Sequence, residues 1–428
     1  MIDREQTCSP HPSPVWVQSA VQWLTPRRIR AQAIVLAVCL WGVCAVDFAT
    51  PGLFDRAGNI KFQDFLPCYV SARLIAQGRA DQLYDQQVPA NSVQAIVRQA
   101  NHVRLPNLYG PQVGLFFVPL SHFSFPVAAR VWVAASLLVF AGCIYLVWRT
   151  CPGLSRHFQP VAICTIAFPP LFHFVVRGQV SALVLACFSA VFLAFRADRA
   201  GLAGMALGFL IFKPQFLVAI PLVLLLSRAW RPLAALVASA GAQLVLTRIY
   251  FGPAVMHAYF DTLWHISRVM DEVELSLAPI QMHSLRSFWL LLIPSPETAL
   301  ALYVLSSMVT VWLAAVVWKS SAPLAMRFSA LTLAAVLVNP HLFVYDVLVL
   351  APALLLLVDW TLANAQDPSS PTLRLLLYLA FVLPLFGPLS RWTHVQLSVP
   401  VFAALLWLLW RHAGTPGHKL ASNESAVV

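Results

Sequence analysis

From residue 31 to residue 411 the chain is a succession of apolar runs, and most of the turns between them are only a few residues long. A helix needs roughly 20 mostly apolar residues to span a bilayer, fewer where it is broken and covered by protein. Runs 31–49, 128–148, 232–250, 298–318 and 343–362 reach or approach that length. Inside lipid each backbone N–H and C=O must be paired within its own segment, so such runs can fold only as helices. The expected fold is therefore an all-α polytopic membrane protein. With 59% hydrophobic and 11% charged residues there is no room for a large soluble domain. Only residues 50–110 and 250–283 form sizeable polar stretches.

The basic residues set an orientation. Arg27, Arg28 and Arg30 precede the first run, which places the tail 1–30 in the cytoplasm. No small-residue cleavage site follows that run, so it is expected to stay as an uncleaved anchor. Arg149, Arg156, Arg196, Arg199, Arg228, Arg231, Lys319 and Arg411 then fall at alternate turns, an ordinary positive-inside set. Following the runs in order gives about twelve crossings, with both termini cytoplasmic, in the plasma membrane. Residues 31–412 form one transmembrane domain, with outer loops at about 50–127 and 251–297 and a disordered tail at 413–428. Segments 111–126 and 284–294 are too short or too broken by proline to span cleanly; the first is expected to re-enter or lie on the surface as a helix, the second to insert partially. The net charge of +11 is accounted for by these turns and by contact with anionic headgroups, not by nucleic acid. Eight cysteines without a C-x-x-C or Cys/His cluster support neither a disulfide framework nor a zinc site.

Ionisable groups near membrane depth are costly, and so mark sites. They occur here as short polar knots: Gln63-Asp64-Phe65, Arg177-Gly178-Gln179, Lys213-Pro214-Gln215, His283-Ser284, and Asn339-Pro340-His341 with Tyr345-Asp346. By the charge-derived topology all of them lie on the outer face. Charge bias placed the turns without reference to the knots, so their clustering points to one extracytoplasmic cleft.

Lys213 is the strongest local signal. It follows Phe209-Leu210-Ile211-Phe212 with no polar loop between, and only the break made by Pro214 relieves it. Such a lysine needs an anionic partner or a water-filled cavity, and Asp346, one turn into another apolar run, is an attractive partner. Gln179 opens an apolar helix and could bond a ligand, while Arg177 could equally snorkel to headgroups. Phe62, Phe65, Tyr69, Ala72, Leu74 and Ile75 give an apolar face at helical spacing, an amphipathic helix expected to lie on the membrane surface. Asp64 sits at its start, where an acid also complements the helix dipole without any catalytic role. Tyr84-Asp85 reads as a turn or a site element, and Tyr109 as part of a loop–membrane junction. His283 and His341 could contact an anion or be satisfied interfacial histidines.

A carboxylate, a buried cation and amide and imidazole donors suit transfer chemistry on a lipid that carries a phosphate. The carboxylate takes a proton from an attacking hydroxyl, and the cation holds a departing phosphate. Two other classes stay open on the residues alone: a transporter or flippase of polyprenyl-linked sugars, and a non-catalytic membrane scaffold.

The ordered set Gln63-Asp64-Phe65, Tyr69, Ala72-Arg73, Gly78, Tyr84-Asp85, Tyr109-x-Pro111, Pro119-Leu120, Gly178-Gln179, Gly204, Gly208, Lys213-Pro214-Gln215, Ser284, Asn339-Pro340 and Tyr345-Asp346 resembles glycosyltransferase family 87 over about residues 60–350. The resemblance implies a GT-C fold and inverting transfer of a hexose, mannose first among the candidates. The donor would be a polyprenyl-phosphate sugar and the acceptor a lipid or glycan, both outside the cytoplasm. It implies Asp64 as the general base. Lys213, Gln215, Arg177, Gln179, Tyr109, Tyr84, Asp85, His283, Ser284, His341, Tyr345 and Asp346 are then candidates for substrate binding, with neither metal nor cofactor. Gly110-Pro111 departs from members that carry a second proline there, and sugar, acceptor and linkage stay open.

Overall fold

The computed structural model describes residues 14–85, 87–98, 105, 107–265 and 278–414. The tail expected to be disordered, from residue 415 on, lies outside them. Among the described residues there are helices and no strand, apart from isolated bridges such as Met282 with Phe343.

The first half contains α1 (Val15–Trp23), α2 (Pro26–Ala49), α3 (Leu66–Ala76), α4 (Gln87–Ile96), α5 (Pro111–Phe117) and α6 (Phe125–Trp148). After these come α7 (Phe158–Ile166), α8 (Pro169–Arg177), α9 (Ser181–Arg196) and α10 (Ala200–Gly208). The second half contains α11 (Ile220–Leu226), α12 (Trp230–Phe251), α13 (Pro253–Trp264), α14 (Leu285–Leu292) and α15 (Pro296–Lys319). It ends with α16 (Leu324–Leu337), α17 (Leu350–Ala363), α18 (Ser370–Val382) and α19 (Ser398–Ala413). Among the described residues six helical segments are long and apolar enough to cross a membrane, seven if the bent pair α7–α8 is one span. The chain is thus a multi-pass membrane protein by length and composition of its helices.

The apolar stretch 158–177 is not one straight span but two helices, α7 and α8, bent by 51°. The reason is local. Pro169-Pro170 can start a helix but cannot continue one, so α8 begins afresh there. The surface helix expected in the first outer loop is also corrected. In α3, Leu66, Cys68, Tyr69, Val70, Ala72 and Leu74 are all buried, and its neighbours are α4, α5 and α6. Protein, not lipid, covers its apolar face. Segments 111–126 and 284–294 form only short helices, α5 and α14.

At the centre is α16, buried along almost its whole length and surrounded by α9, α11, α15, α17 and α19. Outside it, α10 and α12 run side by side in close contact. A methyl group on Gly204 would land on the Pro232 carbonyl, and one on Gly208 would come within 2.6 Å of the Leu236 carbonyl and the Ser239 Cβ. Small residues four apart let membrane helices approach to backbone contact. Gly204→Val is therefore expected to destabilise the protein by ~1–3 kcal/mol, the usual cost of overpacking. Thermal unfolding of the purified chain in detergent checks this, and an unchanged midpoint would show that the two helices part freely.

Candidate active site

Asp64 lies in a 3-10 turn, Gln63–Phe65, just before α3. Its neighbour Phe65 has no exposure and fixes that turn in an aromatic nest with Phe117 (5.3 Å between ring centroids), Trp132 (6.2 Å) and Phe125 (6.3 Å). Phe62 is left-handed (φ 56°) and its N–H donates to the Val176 carbonyl. This ties the loop to the end of α8. There Gly178, at φ 68°, closes the helix, and the Gly178 and Gln179 N–H groups both donate to the Phe174 carbonyl. Only glycine adopts that conformation without strain. A side chain at this position would also meet Phe62 and Phe65, whose Cβ atoms are 3.1 and 3.2 Å away. Trp132 Nε1 donates to the Gly178 carbonyl, which completes the joint.

This joint presents Arg177 and Gln179 to the acid. Gln179 Nε2 donates to Asp64 Oδ2 at 2.9 Å, and Arg177 Nη1 is 3.8 Å from Asp64 Oδ1. The Tyr109 hydroxyl donates to Gln179 Oε1 at 3.1 Å, which orients the amide with its NH₂ toward the carboxylate. Tyr84 in turn donates to the Tyr109 carbonyl at 2.7 Å. The Asp64 side chain keeps 17% of its surface exposed and Arg177 36%. Burial pushes the Asp64 carboxyl above its ordinary range. Arg177, the Gln179 amide and Lys213 pull it back, while Asp346 raises it further.

Two residues beyond Gln179 is Ser181, the first residue of α9. Its hydroxyl donates to Asp346 Oδ1 at 2.7 Å. Lys213 Nζ meets the same oxygen at 2.6 Å and lies 3.4 Å from Ser181 Oγ. Lys213 stands alone between two 3-10 turns, Phe209–Phe212 and Pro214–Leu217, outside the helical region (φ −128°, ψ 72°), which the following proline disfavours. Both charged side chains are almost wholly buried, 4% and 2% exposed. The Tyr345 ring lies 5.5 Å from Lys213 Nζ. His341 packs on Phe343 and lies within electrostatic reach of Asp346 and Lys213; burial holds its imidazole down to about 4, hence neutral. Asp64, Arg177, Gln179, Tyr109, Lys213, Asp346 and Tyr345 thus form one polar centre.

The remaining candidates stand elsewhere. Asp85 is exposed and accepts the Gln87 and Val88 N–H groups, which hold its carboxyl below the usual range; it caps α4. His283 is buried against the Ser398 hydroxyl at 2.7 Å, with its ring pushed down to about 3 by burial, and serves as a core fastening. The Ser284 N–H donates to Ser287 Oγ at the start of α14. The Gln215 side chain has no hydrogen bond among the described residues. The His283-Ser284 and Asn339–His341 knots do meet one another: the His283 N–H donates to the Leu342 carbonyl, and Arg286 Nη1 to the Pro340 carbonyl.

Two residues of interest were not singled out from the sequence. Ser181 bridges the ion pair; its signal was its place two residues after Gln179 in the same turn. Arg286 adds a cation beside His341, signalled only by its proximity to Ser284. Lys213 has the anionic partner anticipated from the sequence, Asp346, at 2.6 Å. Arg177 is the more accessible cation. Among the described residues no group of three or more His, Cys, Asp or Glu is placed to hold a metal ion.

No curated protein and no solved structure matches the chain. The family model for glycosyltransferase family 87 matches residues 107–343, more than half of its length. That segment holds Tyr109, Arg177, Gln179, Ser181, Lys213 and His341, with Asp64 and Asp346 bonded to it from either side. This multi-pass helical chain belongs to glycosyltransferase family 87, a family of membrane glycosyltransferases.

Proposed function

We propose that the protein is a GT-C-type transferase that moves a hexose, mannose first among the candidates, from a polyprenyl-phosphate donor to a lipid or glycan acceptor. The reaction takes place on the extracytoplasmic face of the plasma membrane, with both termini cytoplasmic. Six long helical spans, the bent α7–α8 pair and five shorter apolar segments supply twelve crossings in this reading. The observation that carries the proposal is Asp64: a partly exposed carboxylate aimed by the Gln179 amide, with Arg177 beside it.

Asp64 takes the proton of the acceptor hydroxyl. That oxygen attacks the anomeric carbon on the face opposite the phosphate, the bond from carbon to phosphate oxygen breaks, and the configuration inverts. The phosphate leaves with the bonding electrons and its charge is met by Arg177, with Lys213 as the buried positive wall behind it. Neutral His341 donates rather than charges. Tyr345 lines the cavity, and Tyr84, Tyr109 and Gln179 hold the base in place. The apolar walls keep water from competing as nucleophile.

Purified protein in detergent, given a polyprenyl-phosphate hexose and lipid acceptors, is expected to consume the donor, release polyprenyl phosphate and form a glycosylated acceptor inverted at the anomeric carbon. A transporter would leave the lipid chemically unchanged. Turnover is expected to persist in chelator, since both carboxylates of the centre already face side-chain cations; loss of activity restored by a divalent ion would contradict this.

A pH profile tests the base separately. Protonated Asp64 cannot accept a proton, so kcat/KM falls as pH drops through its raised pKa. Arg177 lowers that pKa, so Arg177→Gln is expected to move the acid limb to higher pH, whatever it does to the plateau. A limb that stays in place would show that another group governs it.

A further inference from the structure

The groove between α12 and α13 plays no part in this chemistry. α12 ends at Phe251, and Gly252, at φ 83°, turns the chain into α13, a conformation that favours glycine. The corner encloses a groove of about 600 Å³, with Val245, Met256 and Phe260 among its apolar residues and Arg248 and His257 as its basic ones. Both basic residues are exposed, and neither side chain has an ion pair or hydrogen bond among the described residues. Among the described residues no acidic one lines the groove, and Asp261 on α13 is engaged by His265 at 3.0 Å.

Helix register gives its depth. Ser239 Oγ donates to the Met205 carbonyl and Gln243 Nε2 to the Gly208 carbonyl, so α10 and α12 run parallel. Five residues onward from Gly208 and Gln243 are Lys213 and Arg248. Arg248 therefore stands at about the height of Lys213, on the outside of the bundle. On another face of α13, Tyr259 packs against Tyr84 at 5.6 Å between ring centroids. Tyr259 thus turns toward the Tyr84 end of the Asp64 centre, and none of the residues that line the groove belongs to that centre.

We propose that this groove binds one anionic phospholipid, its phosphodiester on Arg248 and His257 and an acyl chain along Val245, Met256 and Phe260. The chemistry is complementary at both ends: an apolar trough for the chain and unopposed basic groups where the head would sit. A basic residue near anionic lipid strengthens binding about fivefold.

The test is native mass spectrometry of the full chain, titrated with phosphatidylglycerol or phosphatidylcholine of matched chains. One phosphatidylglycerol is expected to be retained, about fivefold or more in preference to phosphatidylcholine. Arg248→Gln with His257→Gln should erase that preference, and Arg248→Lys should keep it. Ala254→Trp, which fills the groove and leaves both basic groups in place, should displace the lipid. Equal retention of the two lipids by the unaltered protein would overturn the proposal, as would a preference untouched by both the charge and the filling variants. A polyprenyl phosphate held in the groove against excess phosphatidylglycerol would overturn the assigned occupant. Binding is read without turnover, so the outcome is independent of the reaction proposed above.

Discussion

Asp64→Asn is expected to lower transfer by ~10²–10⁴-fold, the range associated with loss of a general base, while leaving the fold unchanged. The substitution is nearly isosteric and the Asp64 turn is held by Phe65 and Phe62 rather than by the carboxylate. An asparagine can still accept from Gln179 Nε2, so the local hydrogen bond survives. What disappears is the capacity to take a proton. Product formation from a polyprenyl-phosphate hexose, with the unfolding midpoint measured on the same preparation, separates the two effects. Wild-type turnover in Asp64→Asn would remove the assigned base. Gln179→Leu offers a graded companion: the base remains, but loses the donor that aims it and helps keep it ionised.

The largest effect on stability is expected at Lys213. With Asp346 it forms a pair buried on all sides, and removing one partner strands a charge in a medium that cannot solvate it. Such a break costs ~3–5 kcal/mol, whereas replacing both partners by uncharged groups is often close to neutral. Lys213→Met should therefore unfold at markedly lower temperature. Lys213→Met combined with Asp346→Asn should recover most of the loss, with the asparagine oxygen still available to Ser181. Turnover of the double variant should stay ~10²-fold below wild type, because the positive wall behind the leaving group is gone. A single variant as stable as wild type would show that water reaches the pair. A stable double variant with full turnover would confine the pair to a structural role.

Much of this arrangement is legible in the chain, and the reasons differ from residue to residue. The spans follow from apolar run length, and the break at Lys213-Pro214 follows from the loss of a backbone donor. Pro169-Pro170 carried a visible signal for the α7–α8 bend that run length alone overrode. Amphipathic spacing in α3 was real, but the pattern is the same whether lipid or protein covers the apolar face. Pairings are the hardest to read. Asp64 and Gln179 are 115 positions apart and Lys213 and Asp346 are 133 apart, distances over which local sequence carries no information about contact. His283 and Asp85 mark the opposite failure. Each is a polar residue in a suggestive place, and each is satisfied away from the Asp64 centre, His283 by Ser398 across the fold and Asp85 by the N–H groups at the start of α4.

Gln179 and Ser181 are separated by one residue, and they serve the acid and the salt bridge respectively. Neither half of the centre can drift without dragging the other. Mild heating or harsh solubilisation should accordingly switch catalysis off in one step, with no plateau of half-competent molecules along the way.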